Sequence, residues 1–300
     1  MNVNKAAELF ETITSEKANS IQRCSAGIAN YVFIVSAESG KYVLRCSAQK
    51  DAYKETIRCL HMLSACHIPI PTVIAEGSSD GFDYLILSYI EGDDIGNVYS
   101  ELTDEQKRQI AREVIAIQKK VSELPVEYDE KWNWNNEISD MLDRANHRIG
   151  INRHFDVRKV ESVRTIQEEM WSYFDNIHPA YYLDDISTKN LLISNGKVSG
   201  VIDIDWLVPG DVLTFIAMTR VALLNMEMDT KYADYLLDEL HPGTEEYRAY
   251  TFYCLMYCVD FMGERGMQFL DKKIPVNQTV IDRLNGIFDM LLEEYLKLER

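Results

Sequence analysis

The chain has 300 residues, and its 48 acidic against 31 basic side chains give a formal net charge of −17 at pH 7. This balance disfavours nucleic acid and anionic membrane surfaces as partners, and no run approaches the roughly 20 apolar residues of a membrane-spanning helix. The excess of acid is typical either of a solvated surface or of a cleft that attracts a polycationic small molecule, and charge alone leaves both open.

The amino terminus lacks the pattern of a secretory signal, because a basic start, an apolar stretch and a small-residue cleavage site are all missing. We therefore expect a cytoplasmic protein. The six cysteines form no CxxC pair, which predicts reduced core thiols and neither disulfides nor a zinc site.

Residues 20–90 are predicted to form a strand-rich unit that contains one helix. Strands over 31–36 and 42–46 flank a hairpin turn at Gly40. The helix lies within 51–66 and must end before Pro69, because proline disfavours helical backbone at the preceding residue. Two more strands are expected near 72–75 and 84–89.

The pattern becomes helical after Gly92. Thr103 and Gln106 fit a capping box, and a one-sided apolar stripe follows at helical spacing. Helices are also predicted over 160–174 and 249–261, and the second is so apolar all round that it should be buried. The stripe consists of Ile110, Val114, Ile117 and Val121.

One strand-like island, LLISNGKVSGVIDID, interrupts the helical half. Asn195 and Gly196 separate strands over 191–194 and 197–202, and Asn-Gly between strand formers is the strongest short hairpin signal. The whole pattern predicts an α+β fold with two lobes and a cleft: a β-rich lobe over residues 1–90 and a mainly helical lobe over 91–300.

Three oxygen-bearing side chains stand at the ends of this hairpin. Asp185 and Asn190 lie on the entering loop, and Asp203 follows the second strand. Mg²⁺ prefers a few carboxylate or amide oxygens plus substrate phosphates, while another carboxylate can accept a proton from an attacking hydroxyl. The alternative is that Asp185 and Asn190 cap a turn and Asp203 merely ends a strand.

The combination resembles the protein-kinase-like aminoglycoside phosphotransferase family. In that family an H-x-D-x-x-x-x-N loop leads into a hairpin that ends in I-D-(F/W), and this chain has Asp185 to Asn190 followed by Val201, Ile202 and Asp203. The similarity extends to Y-V-L-R at 42–45, I-P-I-P at 68–71 and G-D at 210–211. The pattern is most similar to the hygromycin-type phosphotransferases.

This resemblance implies a bilobal protein-kinase-like fold and a kinase that uses ATP or GTP with Mg²⁺. It implies that Asp185 is the catalytic carboxylate, and that Asn190 and Asp203 hold the metal on the nucleotide phosphates. Arg45 would take the place of the strand lysine on the phosphates, with Glu55 as its partner. A solvated surface pair is the alternative for Arg45 and Glu55.

Further nucleotide contacts follow from the same resemblance. Val43 shares a strand face with Arg45 and would lie over the base, and Ser88 and Ile90 flank the expected hinge. Gly27 is the single glycine of the turn over 25–30, which would either contact the phosphates or be a plain hairpin turn. Lys189 would neutralise charge on the transferring phosphoryl group or remain a solvated loop lysine.

Leu183 and Arg45 depart from the family pattern. Leu183 stands in place of the loop histidine, which is a structural anchor in that family, and Arg45 replaces lysine with a bidentate fork. Asp205 and Asp211 lie beside the metal segment. One of them would support the metal site and the other would orient the loop. A helix or turn cap explains Asp211 equally well. Trp132 and Trp134 would either stack on a ligand or anchor a loop.

The acceptor site is expected in the helical half, where acidic residues lie in apolar company. Asp260 and Glu264 are one helical turn apart and could hold an ammonium group, with Glu227 and Asp229 adding to them. The alternative is a solvated helix end or a salt bridge to Arg265 or another basic residue. An aminoglycoside is the first candidate acceptor; an amino alcohol or sugar kinase, or an inactive nucleotide-binding protein, are the rivals.

Overall fold

A computed structural model describes residues 1–24, 31–127, 131–269 and 272–298. The chain forms two compact units. The first contains residues 1–93, 192–194 and 199–207, and the second contains residues 94–191, 195–198 and 208–300. The sequence predicted a single division after residue 90. In the structure, part of the later hairpin and the segment after it also belong to the first unit. Val201 N donates to Pro69 O at 2.8 Å, which ties this later segment to the I-P-I-P turn.

A five-stranded antiparallel sheet is the framework of the first unit, and its strands lie in chain order except that the last two are exchanged. Its predicted strands and helix are confirmed, with small shifts at their ends; a helix before residue 15 and the first strand had no counterpart in the sequence prediction. The elements are α1 (Val3–Thr14), β1 (Ser20–Arg23), β2 (Tyr31–Ser36), β3 (Lys41–Ser47), α2 (Lys54–Ser64), β4 (Val73–Ser79), β5 (Phe82–Ser88) and β6 (Asp93–Asp94).

One face of this sheet is covered by α1. Phe33, Leu44 and Ile86 are fully buried in one cluster with Ala6 and Phe10 of the helix. Successive side chains of a strand point to opposite faces, so Val43 and Arg45 of β3 lie on the other face. The alternation within β3 therefore separates the apolar core from the side that carries the candidate phosphate contact.

The second unit is mainly helical. It begins with α3 (Ile95–Val98), a single 3₁₀ turn (Tyr99–Glu101), α4 (Asp104–Ser122), α5 (Trp134–Asn152), α6 (Arg158–Glu169) and α7 (Trp171–Asp175). Further along the chain come β7 (Ala180–Tyr182), β8 (Leu191–Ser194), β9 (Lys197–Val201), β10 (Val208–Gly210), α8 (Leu213–Asn225), α9 (Lys231–Leu240), α10 (Thr244–Glu264), β11 (Gln268–Phe269), β12 (Lys272–Lys273) and α11 (Gln278–Leu298). Of these elements, β8 and β9 belong in large part to the first unit.

The α10 helix is the core of this unit. Every residue from Ala249 to Val259 is buried, and the helix packs against α5, α8 and α11. The prediction of a buried helix at this place is confirmed, because a helix that is apolar on all sides needs neighbours on all sides. No helix in the described ranges has both the length and the apolar character to cross a membrane.

The Thr103 capping box and the hairpin at Asn195 are also confirmed. Gln106 N donates to Thr103 Oγ1 at 3.2 Å and Thr103 N donates to Gln106 Oε1 at 2.9 Å. The prediction of one continuous helix over 160–174 is wrong. Two helices, α6 and α7, are separated at Met170, whose φ of −98° and ψ of 11° leave the helical region.

Candidate active site

Arg45 is the centre of the charged group in the first unit. It lies on β3, is 7% exposed, and forms a bidentate salt bridge with Asp205 through Nη1 at 3.0 Å and Nη2 at 3.1 Å. Its Nη1 is also 3.2 Å from Asp203 Oδ1. The paired carboxylates, together with the nearby Tyr53, oppose the effect of burial and raise the pKa of Arg45.

The expected pair between Arg45 and Glu55 is wrong. Glu55 binds Arg58 on the surface of the same helix, with Arg58 Nη2 at 2.5 Å from Oε1. The neighbouring Thr56 contacts the partner of Arg45, because its hydroxyl donates to Asp205 Oδ1 at 2.8 Å. A one-residue step along a helix turns a side chain by about 100°, so Glu55 and Thr56 face different surroundings.

Asp203 follows β9 with a φ of 56°, in the left-handed region. Its side chain is about half exposed. Loss of surrounding water raises the pKa of Asp203, Arg45 lowers it, and Asp205 adds to the rise. The carboxylate oxygen is a donor of the type that Mg²⁺ prefers.

Asp185 and Asn190 are brought together at the two ends of one loop in the second unit. Asn190 Nδ2 donates to Asp185 Oδ2 at 3.1 Å and to Asp185 O at 3.0 Å. Asn190 has a φ of 64°, and its backbone N–H donates to Asp94 Oδ1 at 2.8 Å. Because the amide nitrogen faces Asp185, the amide oxygen points away from it.

The same loop is held by a glycine. Gly96 N donates to Thr188 O at 3.0 Å, and a Cβ on Gly96 would lie 2.5 Å from that oxygen. No side chain other than hydrogen fits this approach, so Gly96 together with Asp94 fixes the distal half of the loop. Sequence reasoning missed both residues.

Leu183, in place of the family histidine, is held through its backbone. Gln118 of α4 accepts from Leu183 N at 2.9 Å and donates to Leu183 O at 2.8 Å. Gln118 is 2% exposed. A polar side chain at helical spacing from Val114 and Val121 was a usable signal, because a buried amide on an apolar face needs hydrogen-bond partners.

Asp211 belongs to a buried hydrogen-bond chain. Its Oδ1 accepts from Leu213 N at 2.9 Å at the start of α8, and its Oδ2 accepts from Tyr253 at 3.0 Å and Tyr173 at 3.2 Å. Trp134 Nε1 donates to Tyr253 Oη at 2.8 Å. Of the two alternatives for Trp134 the structure shows the anchor, since the ring is 2% exposed.

The remaining nucleotide candidates have different surroundings. Val43 pairs with Ile34 and Leu87 in the sheet. Ser88 Oγ accepts from Thr72 N at 2.8 Å, Ile90 packs against Gly200, and Lys189 is exposed. Gly27 lies outside the described residues.

All four candidate acceptor-binding acids have basic partners. Arg148 of α5 is 3.3 Å from Asp260 and 3.9 Å from Glu264. The alternative of a salt bridge is therefore the one present at Asp260, with Arg148 as the partner and not Arg265. The other two pairs are Arg283 with Glu227 at 2.5 Å and Lys107 with Asp229 at 2.9 Å.

Burial raises the pKa of both Asp260 and Glu264. Arg148 and Arg144 oppose this rise at Asp260. At Glu264 the charge of Asp260 adds to the rise, and Arg148, Arg265 and Lys189 oppose it. Acidic residues of α10 thus lie beside basic residues of α5, and this region carries charges of both signs.

Among the described side chains, no three His, Cys, Asp or Glu residues are grouped to hold a metal by themselves. Asp203 of the first unit offers a carboxylate oxygen and Asn190 of the second unit an amide oxygen, and each is a type of donor that Mg²⁺ accepts. Mg²⁺ characteristically takes one or two carboxylates and completes its shell with water and substrate phosphates. Each of these donors, taken by itself, is of the kind that suits an ion arriving with a nucleotide.

The model of the phosphotransferase enzyme family matches residues 20–250. No curated protein matches the chain. Among solved structures, a thermostable mutant of the aminoglycoside phosphotransferase APH(4)-Ia is 16% identical with a TM-score of 0.64, covering 97% of this chain and 96% of that one. ADP-bound aminoglycoside phosphotransferase APH(2'')-Ib is also 16% identical, with a TM-score of 0.65 and coverage of 97% and 98%.

A third solved structure, the streptomycin–ATP–APH(2'')-IIa ternary complex, is 16% identical with a TM-score of 0.63 and covers 98% of this chain and 97% of that one. At such identities the likeness shows the fold. The predicted α+β, protein-kinase-like fold of the aminoglycoside phosphotransferases is confirmed.

Proposed function

Because the chain belongs to the phosphotransferase enzyme family, we propose that it transfers the γ-phosphoryl group of ATP or GTP to a hydroxyl of a cationic small molecule, with an aminoglycoside as first candidate. The observation that carries this proposal is the contact of 3.1 Å between Asn190 and Asp185 on one loop. This contact supports the proposal, because phosphoryl transfer uses a proton acceptor close to a group that holds the metal.

Asp185 accepts the proton of the acceptor hydroxyl while the hydroxyl oxygen forms a bond to the γ-phosphorus. The bond from that phosphorus to the β–γ bridging oxygen breaks, and the nucleoside diphosphate leaves with the electron pair. Asn190 and Asp203 would hold Mg²⁺, which neutralises charge on the phosphates when bound. Asn190 also fixes the Asp185 carboxylate through its amide hydrogen.

We assign nucleotide binding to residues 1–90 and acceptor binding with catalysis to residues 91–300. Arg45, Val43, Ser88 and Ile90 serve the nucleotide, and Lys189 the transferring group. Gly27 keeps its proposed contact with the phosphates. A reaction that consumes a nucleoside triphosphate, in a chain with six reduced cysteines, fits the cytoplasm.

A second candidate is a kinase for a less charged acceptor, such as an amino alcohol or a sugar. The observation that favours it is that Asp260, Glu264, Glu227 and Asp229 all have basic partners. A polycation would have to displace these partners, and exchanging one cation for another recovers little Coulomb energy.

Coupled turnover with ATP and GTP over a panel of aminoglycosides, amino alcohols and sugars tests the proposal. A polycationic acceptor should lose apparent affinity steeply as salt rises, because exposed ion pairs are screened over about 10 Å at 0.1 M. A shallow response with turnover of an amino alcohol or sugar would select the second candidate. Nucleotide binding without turnover of any acceptor would instead indicate the inactive nucleotide-binding protein.

Expression in a sensitive bacterium gives an independent measurement. Raised tolerance to an aminoglycoside, absent in a strain that carries Asp185→Asn, would support the first candidate. Unchanged tolerance together with turnover of a metabolite would contradict the resistance function and leave the phosphotransferase proposal in place.

A further inference from the structure

Two carboxylates lie within reach of one arginine in the first unit. Arg45 binds Asp205 end-on, with Nη1 and Nη2 each directed to one carboxylate oxygen at 3.0 and 3.1 Å. Asp203 has a single approach to the same guanidinium, at 3.2 Å from Nη1. Because bidentate pairing of arginine with a carboxylate is stronger and more directional than a single contact, Asp205 is the dominant partner.

Asp205 is itself held from a second element. Thr56 of α2 is 3% exposed, and its hydroxyl donates to Asp205 Oδ1 at 2.8 Å. Asp205 therefore joins α2 to β3 through one carboxylate. Glu55, the acid of α2 that the sequence suggested for this task, is directed to Arg58 on the surface.

The end-on pair leaves the other edge of the guanidinium unused. Arginine carries five N–H donors, and Nε with the second hydrogen of Nη2 forms a side-on fork. Arg45 Nε is buried and has no hydrogen-bond partner among the described residues. A buried donor without a partner is costly, and two parallel donors match the geometry of a phosphate.

We propose that Asp205 is a positioning residue: with Thr56 it holds Arg45 end-on, so that the side-on fork of Arg45 is kept for a nucleotide phosphate and Asp203 is kept for the metal ion. The inference rests on the proposed function. The sequence suggested that Glu55 on α2 holds Arg45 in position. The inference gives this task to Asp205, in the segment after β9.

Loss of the Asp205 charge should redirect Arg45. The nearest remaining carboxylate is Asp203, which already lies 3.2 Å from Nη1. A buried guanidinium that loses its main partner takes the next one, because an unpaired buried charge is strongly unfavourable. Arg45 and Mg²⁺ would then compete for the same carboxylate.

Calorimetric titration of Mg²⁺ with adenylyl imidodiphosphate, a non-hydrolysable ATP analogue, tests this inference. Asp205→Asn should raise the Mg²⁺ concentration for half-maximal tightening of analogue binding by roughly tenfold or more, about the value of one charged hydrogen bond. Adenosine affinity should stay within about twofold, because adenosine lacks the phosphates that Arg45 and the metal contact. An unchanged Mg²⁺ requirement, or an equal loss for adenosine, would overturn the inference.

Two further variants keep the test decisive. Thr56→Val removes only the hydroxyl that holds Asp205 and should shift the Mg²⁺ requirement in the same direction by a smaller factor; it decides the matter if circular dichroism shows that Asp205→Asn does not fold. Glu55→Gln is the matched control and should change neither titration. The inference would be overturned if Glu55→Gln raised the Mg²⁺ requirement and neither Asp205→Asn nor Thr56→Val did. Glu55 of α2 would then be the residue that positions Arg45.

The wild type separates this inference from the proposed function. If wild-type protein binds the analogue with Mg²⁺ and Asp205→Asn behaves identically, the positioning assignment alone is wrong. If the wild type binds no nucleotide, the proposed function is wrong and the inference falls with it.

Discussion

Asn190 and Asp203, the two proposed metal ligands, share a backbone conformation that few residues other than glycine adopt. Their φ values are 64° and 56°. Asparagine and aspartate tolerate this region better than other residues, because their short polar side chains can hydrogen-bond locally. Such residues cost about 1–3 kcal/mol when strained, and they concentrate where a side chain must be aimed. The conformation is compatible with the site but does not by itself distinguish it, because eight other described non-glycine residues also have a positive φ.

Asp185→Asn should preserve the fold and nucleotide binding while lowering turnover by roughly 10²-fold or more, the usual scale for a positioned proton acceptor. The amide keeps the size of the carboxylate but does not take the proton. Steady-state turnover with any accepted acceptor, next to calorimetry of nucleotide binding, checks this. Wild-type turnover in the variant would remove Asp185 from the catalytic role.

The buried Asp211 carboxylate should leave a signature in the pH dependence of stability. Burial raises its pKa above 3.8, although Leu213 N–H, Tyr253 and Tyr173 donate to it and lower the value. The folded state therefore holds this proton more tightly than the unfolded state. Wild type should lose unfolding free energy as pH rises from about 3.8 through the raised pKa, relative to Asp211→Asn.

Urea unfolding of wild type and Asp211→Asn at a series of acidic pH values measures this difference. The advantage of the wild type over the variant should be largest at the acid end and constant once the carboxylate is charged in both states. A difference that grows with rising pH would mean that hydrogen bonds outweigh burial and that the pKa of Asp211 is lowered.

At the scale of elements, the loop over 184–190 is positioned by three neighbours in sequence-distant segments. Gln118 of α4 holds its start through Leu183, Asp94 holds its end through Asn190 N–H, and Gly96 of α3 contacts Thr188 O. Each contact is to the backbone of the loop, which leaves the Asp185 side chain on the exposed side. The loop is thus fixed without help from a histidine at position 183.

Gly96→Ala should displace this loop, because its Cβ would lie 2.5 Å from Thr188 O, where the neighbour is backbone. A small misplacement of reacting groups lowers turnover by roughly 10- to 100-fold. Steady-state kinetics should show a fall in kcat and a rise in the nucleotide KM, because the displaced part of the loop carries Asn190, a proposed ligand of the metal on the nucleotide phosphates.

Gly286→Ala is the matched control for this substitution. Gly286 is an exposed residue within α11 whose Cβ would meet nothing within 4 Å. Alanine there should stabilise the helix by about 0.5–1 kcal/mol and leave kcat unchanged. Equal kinetics of the two variants would show that the Gly96 contact does not position the loop.

At the scale of the whole molecule, the net charge of −17 is an energetic burden on the folded state. Compact proteins with a large charge of one sign are destabilised by self-repulsion. The described salt bridges are largely at the surface, where individual pairs contribute little. Repulsion among the excess acids should therefore dominate the response to salt.

The melting temperature should rise when NaCl increases from low to near-physiological concentration, since the screening length shortens to about 8 Å at 0.15 M. Differential scanning calorimetry at constant pH measures this. KCl at the same ionic strength should act equally, which distinguishes screening from binding of a particular ion. A melting temperature that falls with salt would show that attractive pairs outweigh the net repulsion.

The sequence by itself determined those features whose signal lies within a few residues. Asn195 and Gly196 form the predicted turn with φ of 52° and 74°, because only such residues accept two successive left-handed positions. Thr103 and Gln106 cap α4, and the apolar run of α10 is buried. The loop from Asp185 to Asn190 was recognised from its combination with the hairpin and the family resemblance, and its position depends on Gln118, Asp94 and Gly96 in distant segments.

Tertiary structure decided the partners of the charged residues. Arg45 meets Asp205 across 160 positions of sequence, and Asp260 meets Arg148 across 112. Charged side chains are long, so an acid on α2 or one far along the chain could reach Arg45. Spacing along the sequence therefore did not distinguish Glu55 from Asp205. Only the packing of α2, β3 and the segment after β9 determines which carboxylate reaches the guanidinium, because burial makes the unpaired alternative too costly.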